Sequence, residues 1–202
     1  MAKQIQKPKL IVAEGLHEET FFGAFIAHLG LADIQVMGIG GKDKLKSELQ
    51  TLVISPDFQN VASLGIVRDA DDDPKAAFKK VCGALKAAGL PVPYRNLTAV
   101  GNKPKVIVTI LPKGSSKGML EDVCLNAVRC DPAVQCVNQY FSCLRNKALP
   151  LPRGLSLSKA RIQAFLASRP ETVWHVGLGA QKGYWRWDSE AFDGLRRFIR
   201  LL

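Results

Sequence analysis

Residues 62–74 read ASLGIVRDADDDP, and this stretch decides the fold. Ala62 to Val67 is a short run of apolar and β-branched residues without regular polar alternation. That pattern suits a strand covered on both faces, because neither side of it meets water. Directly behind it stand Arg68, Asp69, Asp71, Asp72 and Asp73, and then Pro74, where a helix would take its first turn. A buried strand, a carboxylate-rich turn and a capped helix make half of a parallel β–α–β unit.

Three more runs of the same kind flank it: Lys9–Ala13, Ile34–Ile39 and Val106–Leu111. Between the runs the spacing is helical. His17–Leu29 places Phe21, Phe22, Phe25, Ile26 and Leu29 on one broad face. Lys42–Leu52 carries Leu45, Leu49 and Leu52, and Pro74–Ala88 ends at Gly89. This alternation predicts an α/β fold with a mostly parallel four-stranded sheet and helices on both sides. After Leu111 the pattern turns helical, over Met119–Val128, Asp131–Leu144, Ser158–Ala167 and Ser189–Leu202. The proline-rich LPLPRG (149–154) interrupts it, and Gly177–Trp187 reads as a loop. The expected organisation is an α/β domain over residues 1–148, with a helical C-terminal extension over 149–202 packed on the same core.

The 202 residues are 47% hydrophobic and 23% charged, as folded chains are, which excludes global disorder. No stretch approaches the ~18–20 consecutive apolar residues of a membrane span. The basic MAKQIQKPK start runs into a strand and not into a signal-peptide core, so a cytoplasmic location is expected. An odd number of cysteines, five, with no CxxC pair, fits neither a disulfide framework nor a zinc ribbon. Cys124, Cys130, Cys136 and Cys143 read as small, partly buried apolar residues of a helical segment. The net charge of +10 is uneven: residues 1–60 carry 6 basic and 7 acidic side chains, residues 113–202 carry 14 and 7. Such an excess favours contact with polyanions, and equally serves as a solvated surface.

In an open α/β sheet, ligands bind beyond the carboxyl ends of the strands. The first strand ends in Ala13-Glu14-Gly15, with Glu18 one helical turn later, and the third ends at Asp69 and Asp71. Parallel strands would bring both groups to one edge, where their charges repel unless a cation compensates them. Mg²⁺ or Mn²⁺ suits a few carboxylate oxygens with retained waters. Asp72 and Asp73 read instead as caps of the following helix. Lys113 and Lys117 lie in a KGSSK loop that lacks the GxxxxGK[ST] spacing, and they read as a basic loop near the acidic edge. Trp174, Tyr184, Trp185 and Trp187 interleave with Lys182 and Arg186. That arrangement either stacks bases and grips phosphates or anchors the extension to the core. His17, His28 and His175 show no ligand spacing, although His17 is close to Glu14 and Glu18. No serine or cysteine has a recognisable base partner, and a receiver-type phosphoacceptor would need a different run of acids.

An apolar strand ending Glu14-Gly15, then Gly40-Gly41-Lys42, then a strand ending Asp69-x-Asp71, resembles the Toprim domain over roughly residues 8–112. The resemblance implies that Glu14, Asp69 and Asp71 hold Mg²⁺ for phosphoryl transfer. Within that group the chain is most similar to the OLD (overcoming lysogenization defect) nucleases and to small uncharacterised bacterial proteins related to them. By that likeness Glu18 and Glu121 would help to hold a second metal, and Lys159 would support the transition state. Glu18 stands where an aspartate is commoner, and the ATPase domain usually fused to the Toprim unit has no counterpart here. The implied function is a Mg²⁺-dependent nuclease on DNA or RNA, with Lys42, Lys113, Lys117, Lys182 and Arg186 as nucleic-acid contacts. The alternative is a conditional module acting with a separately encoded ATPase. A homo-oligomer is compatible with either, and no membrane association is expected.

Overall fold

The four apolar runs pair side by side as β1 (Lys9–Ala13), β2 (Ile34–Gly38), β3 (Ser63–Asp69) and β4 (Lys105–Leu111). All are parallel, in the order β2-β1-β3-β4, so β1 and β3 occupy the centre. The computed structural model from which this is read describes residues 4–112 and 116–202. Helices cover both faces of the sheet, as the alternation predicts.

Each strand feeds two cores by simple alternation. Leu10 and Val12, Leu64 and Ile66, and Val106, Val108 and Ile110 face α2 (Leu45–Val53) and α3 (Pro74–Ala87). Ile11, Ala13, Val67, Ile107 and Leu111 face the other side. There they meet α1 (Leu16–His28), α4 (Leu120–Ala127), α5 (Pro132–Asn146), α6 (Leu155–Ala167), α7 (Val176–Gln181) and α8 (Asp193–Leu201). Helices beyond residue 149 therefore share one core with the sheet and α1. Among the described residues no helix is long and apolar enough to cross a membrane.

Two details depart from the sequence reading. Gly177–Trp187 is not a loop throughout, since α7 occupies its first part. Its glycines serve close approach: a Cβ on Gly177 would stand 2.5 Å from the His17 carbonyl oxygen, and one on Gly179 2.8 Å from the Trp185 ring. Trp185 is buried and its indole N–H donates to the Val176 carbonyl at 2.9 Å, which makes it an anchor. The cysteines also differ. Cys124 is buried, but Cys130, in the turn before α5, is exposed, and so are Cys136 and Cys143, because α5 buries only Val137 and Phe141. Lys42–Lys44 forms a 3₁₀ turn ahead of α2, and Asp73 caps α3 by accepting from the Lys75 and Ala76 N–H groups.

The C-terminal helix seats on the middle of β3. A Cβ on Gly65 would lie 2.5 Å from Phe198 and 3.1 Å from Leu202, and the buried Ser63 hydroxyl donates to the Leu202 carbonyl at 2.7 Å. Phe198 is fully buried and has no room to yield. Gly65→Ala should therefore cost about 1–3 kcal/mol through overpacking, measured by urea unfolding, with part of the loss recovered by Phe198→Leu. An unchanged unfolding midpoint would contradict this packing.

A second test concerns α7. His175 caps it: the imidazole Nδ1 accepts from the Leu178 N–H at 3.2 Å, and the ring stacks on His17 at 4.0 Å. Burial, helped by the charge of His17, brings the His175 pKa down to about 4. The unfolded chain therefore binds more protons than the folded one between that value and the ordinary ~6.5. Stability is full above this window and lost as pH falls through it. Through His175, acidification from pH 7 to about 4.5 should remove about 2–3 kcal/mol, read as the wild-type loss in excess of that of a His175→Asn variant. His175→Asn, which keeps a capping oxygen without the titration, should flatten that part of the profile in pH-dependent melts.

Candidate functional site at the carboxyl edge of the sheet

Because β1 and β3 are adjacent and parallel, their carboxyl ends emerge side by side. Val12 pairs with Ile66, Glu14 follows the last residue of β1, and Asp69 is the last residue of β3. Alternation sends Asp69 to the α1/α4 side, with Val67, and Arg68 to the α2 side, with Ile66. Gly15 then opens α1, which carries Glu18 in its first turn.

Asp69 reaches across to α4. Its Oδ1 accepts from the Leu120 N–H at 3.0 Å, and Leu120 is the first residue of that helix, so Glu121 arrives in the same turn. Burial pushes the Asp69 carboxyl well above the usual carboxylate range. The charges of Glu121, Glu18 and Glu14 push it further, against the pull of the Leu120 N–H. Burial also raises Glu121, opposed by a backbone N–H and by Lys159, while Glu18 and Asp122 add to the rise. Glu14 is raised by burial, then by Glu18 and Asp71, and is pulled back by Arg68 and Lys42. Three separate parts of the chain thus bring four carboxylates, Glu14, Glu18, Asp69 and Glu121, within electrostatic reach of one another.

Asp71 joins through a different route. It is a non-glycine residue at φ 50°, held there by a reciprocal bridge with Gly118 (3.0 and 2.9 Å). Its carboxylate pairs with the Lys42 ammonium at 3.1 Å, which raises the lysine's pKa. Lys42 is delivered by Gly40 and Gly41, at φ 72° and 122°, a region in which only glycine is comfortable. The Gly41 N–H donates to the Glu14 carbonyl at 2.8 Å, and the Arg68 guanidinium donates to the Lys42 carbonyl at 3.2 Å. The backbone that positions Glu14 therefore also positions Lys42.

Lys159 stands on α6, which is fastened to the same edge. The Ser158 hydroxyl donates to Asp122 Oδ1 at 2.5 Å, while Asp122 Oδ2 accepts from the Met119 N–H at 2.9 Å. Neither Ser158 nor Asp122 was expected from the sequence. The one hint was their adjacency to Lys159 and Glu121. Arg68, which directly precedes Asp69, is another such residue: it is 7% exposed and its Nε has no partner among the described residues.

The remaining expected contacts scatter. Lys117 is exposed and precedes Gly118, so it flanks the edge. Lys182 pairs with Glu171, and Arg186 with Asp188 at 3.1 Å, on the loops around α7. Lys113 lies outside the described residues. As placed, no three His, Cys, Asp or Glu side chains among the described residues stand close enough to hold a metal ion. The donors at the edge are nonetheless hard carboxylate oxygens with less positive charge than negative around them. Oxygen donors of that kind are the type that hard divalent cations take.

The chain resembles three solved structures of the C-terminal region of the Xanthomonas campestris pv. campestris OLD protein. Identity is 13–15%, with 96% of this chain and 80–91% of those chains covered, and TM-scores are 0.41, 0.41 and 0.43. Likeness at this level does not establish a common fold. No curated protein matches the chain. Residues 8–202 match the family described as "Protein of unknown function (DUF3226)", and the chain belongs to that family.

Proposed function

We propose that the carboxyl edge of the sheet is the active site of a Mg²⁺- or Mn²⁺-dependent phosphoryl-transfer enzyme, a nuclease acting on DNA or RNA phosphodiesters. The observation that carries this reading is the gathering of Glu14, Glu18, Asp69 and Glu121, from β1, α1, β3 and α4, at the edge where open α/β sheets bind ligands. The Toprim resemblance picks out Glu14 and Asp69, together with Asp71, and the likeness to the OLD nucleases adds Glu18 and Glu121.

In this reading Glu14, Asp69 and Asp71 hold one cation, and Glu18 and Glu121 complete a second position. When bound, the metal supplies Lewis acidity and an activated water for attack on phosphorus. The chain itself does the positioning. The Leu120 N–H fixes the Asp69 carboxylate, and the Gly118 bridge fixes Asp71. Lys42 and Lys159 supply positive charge for a phosphate entering beside the acids, and Lys117 flanks the entrance.

Plasmid, single-stranded DNA and RNA incubated with the purified protein in Mg²⁺ or Mn²⁺ should be cut. Glu14→Gln and Asp69→Asn should each lower the rate by about a hundredfold or more. Equal cutting by both variants would assign the activity to a contaminant and end the proposal. A protein that binds metal but cuts nothing alone would favour the module that acts with a separately encoded ATPase.

Metal binding has a readout independent of cleavage. Mn²⁺ at about a hundred times its Kd should stabilise the wild type by about 2.7 kcal/mol in thermal melts. Asp69→Asn should abolish most of that gain. In EDTA the same variant should melt no lower than wild type, since it removes one repelling charge while keeping the oxygen that accepts from Leu120. A variant that gains as much from Mn²⁺ as wild type would remove Asp69 from the metal site.

A further inference from the structure

On the opposite face of the sheet, at the same end, lies a cleft that takes no part in the acidic cluster. It has a volume of about 320 Å³ and is lined by Pro74, Lys75 and Phe78 of α3, by Tyr94, Arg95 and Asn96, and by Ile110 of β4. That size falls at the lower end of ligand pockets, roughly 300–1,000 Å³. Ile110 pairs with Arg68, one rung before the rung that joins Asp69 to Leu111. The cleft therefore opens at the carboxyl edge, with β3 and β4 between it and Asp69.

Its walls are fastened. Asn96 Oδ1 accepts from the Ile110 N–H at 3.0 Å, the Leu97 N–H donates to the Val108 carbonyl at 2.9 Å, and the Cys82 thiol donates to the Pro93 carbonyl. Against this fixed frame Tyr94 is 72% exposed, and the Arg95 guanidinium lies over its ring at 5.4 Å. Lys75 and Lys79 share a helical face with Phe78 and are exposed. Among the described residues, Lys75, Lys79 and Arg95 form no ion pair. The nearby Asp73 is committed to capping α3.

An exposed aromatic ring beside Lys75 and Arg95, with Lys79 one helical turn further on, has the chemistry that holds an unpaired base by stacking and its phosphates by charge. A purely apolar ligand would not use the cations, and a base held in a duplex has its faces already stacked on its neighbours. We propose that this cleft binds one nucleobase of a single-stranded nucleic acid, stacked on Tyr94, with Lys75, Lys79 and Arg95 on the flanking phosphates. The inference rests on the nuclease reading for its context and names the substrate class: a strand with an unpaired base beside the acidic edge.

Fluorescence anisotropy of a labelled oligothymidylate, and of a duplex of equal length, tests it in EDTA, where nothing is cut. The wild type should prefer the single strand. Tyr94→Ala should weaken single-strand binding about tenfold while leaving duplex binding unchanged, and Tyr94→Phe, which keeps the stacking face, should stay near wild type. Lys75→Ala should flatten the salt dependence by about 0.7 in the log–log slope. Tyr94 is exposed, so melts should show both of its variants folded. Single-strand binding by Tyr94→Ala equal to wild type, or no binding by wild type, overturns the cleft. If cutting still depends on Glu14 while Tyr94→Ala binds normally, only the cleft fails. If Tyr94 governs binding but nothing is cut, the cleft stands and the nuclease reading fails.

Discussion

The hydrogen bond from the Leu120 N–H to Asp69 is the contact on which the acidic edge depends. It joins the end of the central strand β3 to the first turn of α4, across 51 residues of sequence, and so fixes where Glu121 stands. An α-helix leaves its first N–H groups without partners inside the helix, and a carboxylate is a favourable acceptor there. One favourable contact cannot offset what surrounds it, however. Burial and three neighbouring carboxylates still hold Asp69 well above its ordinary range. The edge is folded by the sheet and helices around it, and its own charges oppose that folding.

What tolerates this opposition is the packing beneath. β1 and β3 are central strands, buried on both faces, so their ends have little freedom to splay. α8 is pressed on Gly65 of β3 with no space for a side chain, and α7 is pressed on α1 at Gly177. Both contacts lie on the side of the sheet that carries Asp69. The C-terminal helices thus brace the strand and the helix that supply Asp69 and Glu18. Residues 149–202 are for that reason hard to treat as a separable appendage of the acidic edge, and Ser158 ties α6 directly into it.

Much of this was legible in the chain, for a physical reason. A strand buried on both faces has a one-dimensional signature, and residues just past its end are located once the strand is. Glu14 and Asp69 could be placed in that way, as could the Asp73 cap ahead of Pro74. Contacts between distant elements have no such signature. Ser158 and Asp122 meet over 36 residues, and nothing in either neighbourhood announces it. The glycines of 177–187 misled for a related reason: glycine marks a loop when it supplies unusual φ, but Gly177 and Gly179 supply absence of volume inside a helix. Exposure of Cys136 and Cys143 likewise follows from which face α5 buries, and only its neighbours decide that.

Asp71 shows how the edge resolves its own electrostatics. A non-glycine residue at φ 50° is strained, by about 1–3 kcal/mol in general though less for aspartate, and it persists only where its surroundings determine it fully. Here they do. Two backbone hydrogen bonds to Gly118 clamp it, and Gly118 itself admits no side chain, because Asp122 occupies that space. The result directs the Asp71 carboxylate towards Lys42, while its charge still reaches Glu14. Lys42 reaches it because Gly40 and Gly41 adopt positive-φ conformations that favour glycine and because Arg68 holds its carbonyl. One of the five acids is thereby neutralised within the chain, and Arg68 and Lys159 only temper the others. Proton uptake relieves those others, as the raised pKa values of Glu14, Asp69 and Glu121 express, and the proposed cation would relieve them in the same place.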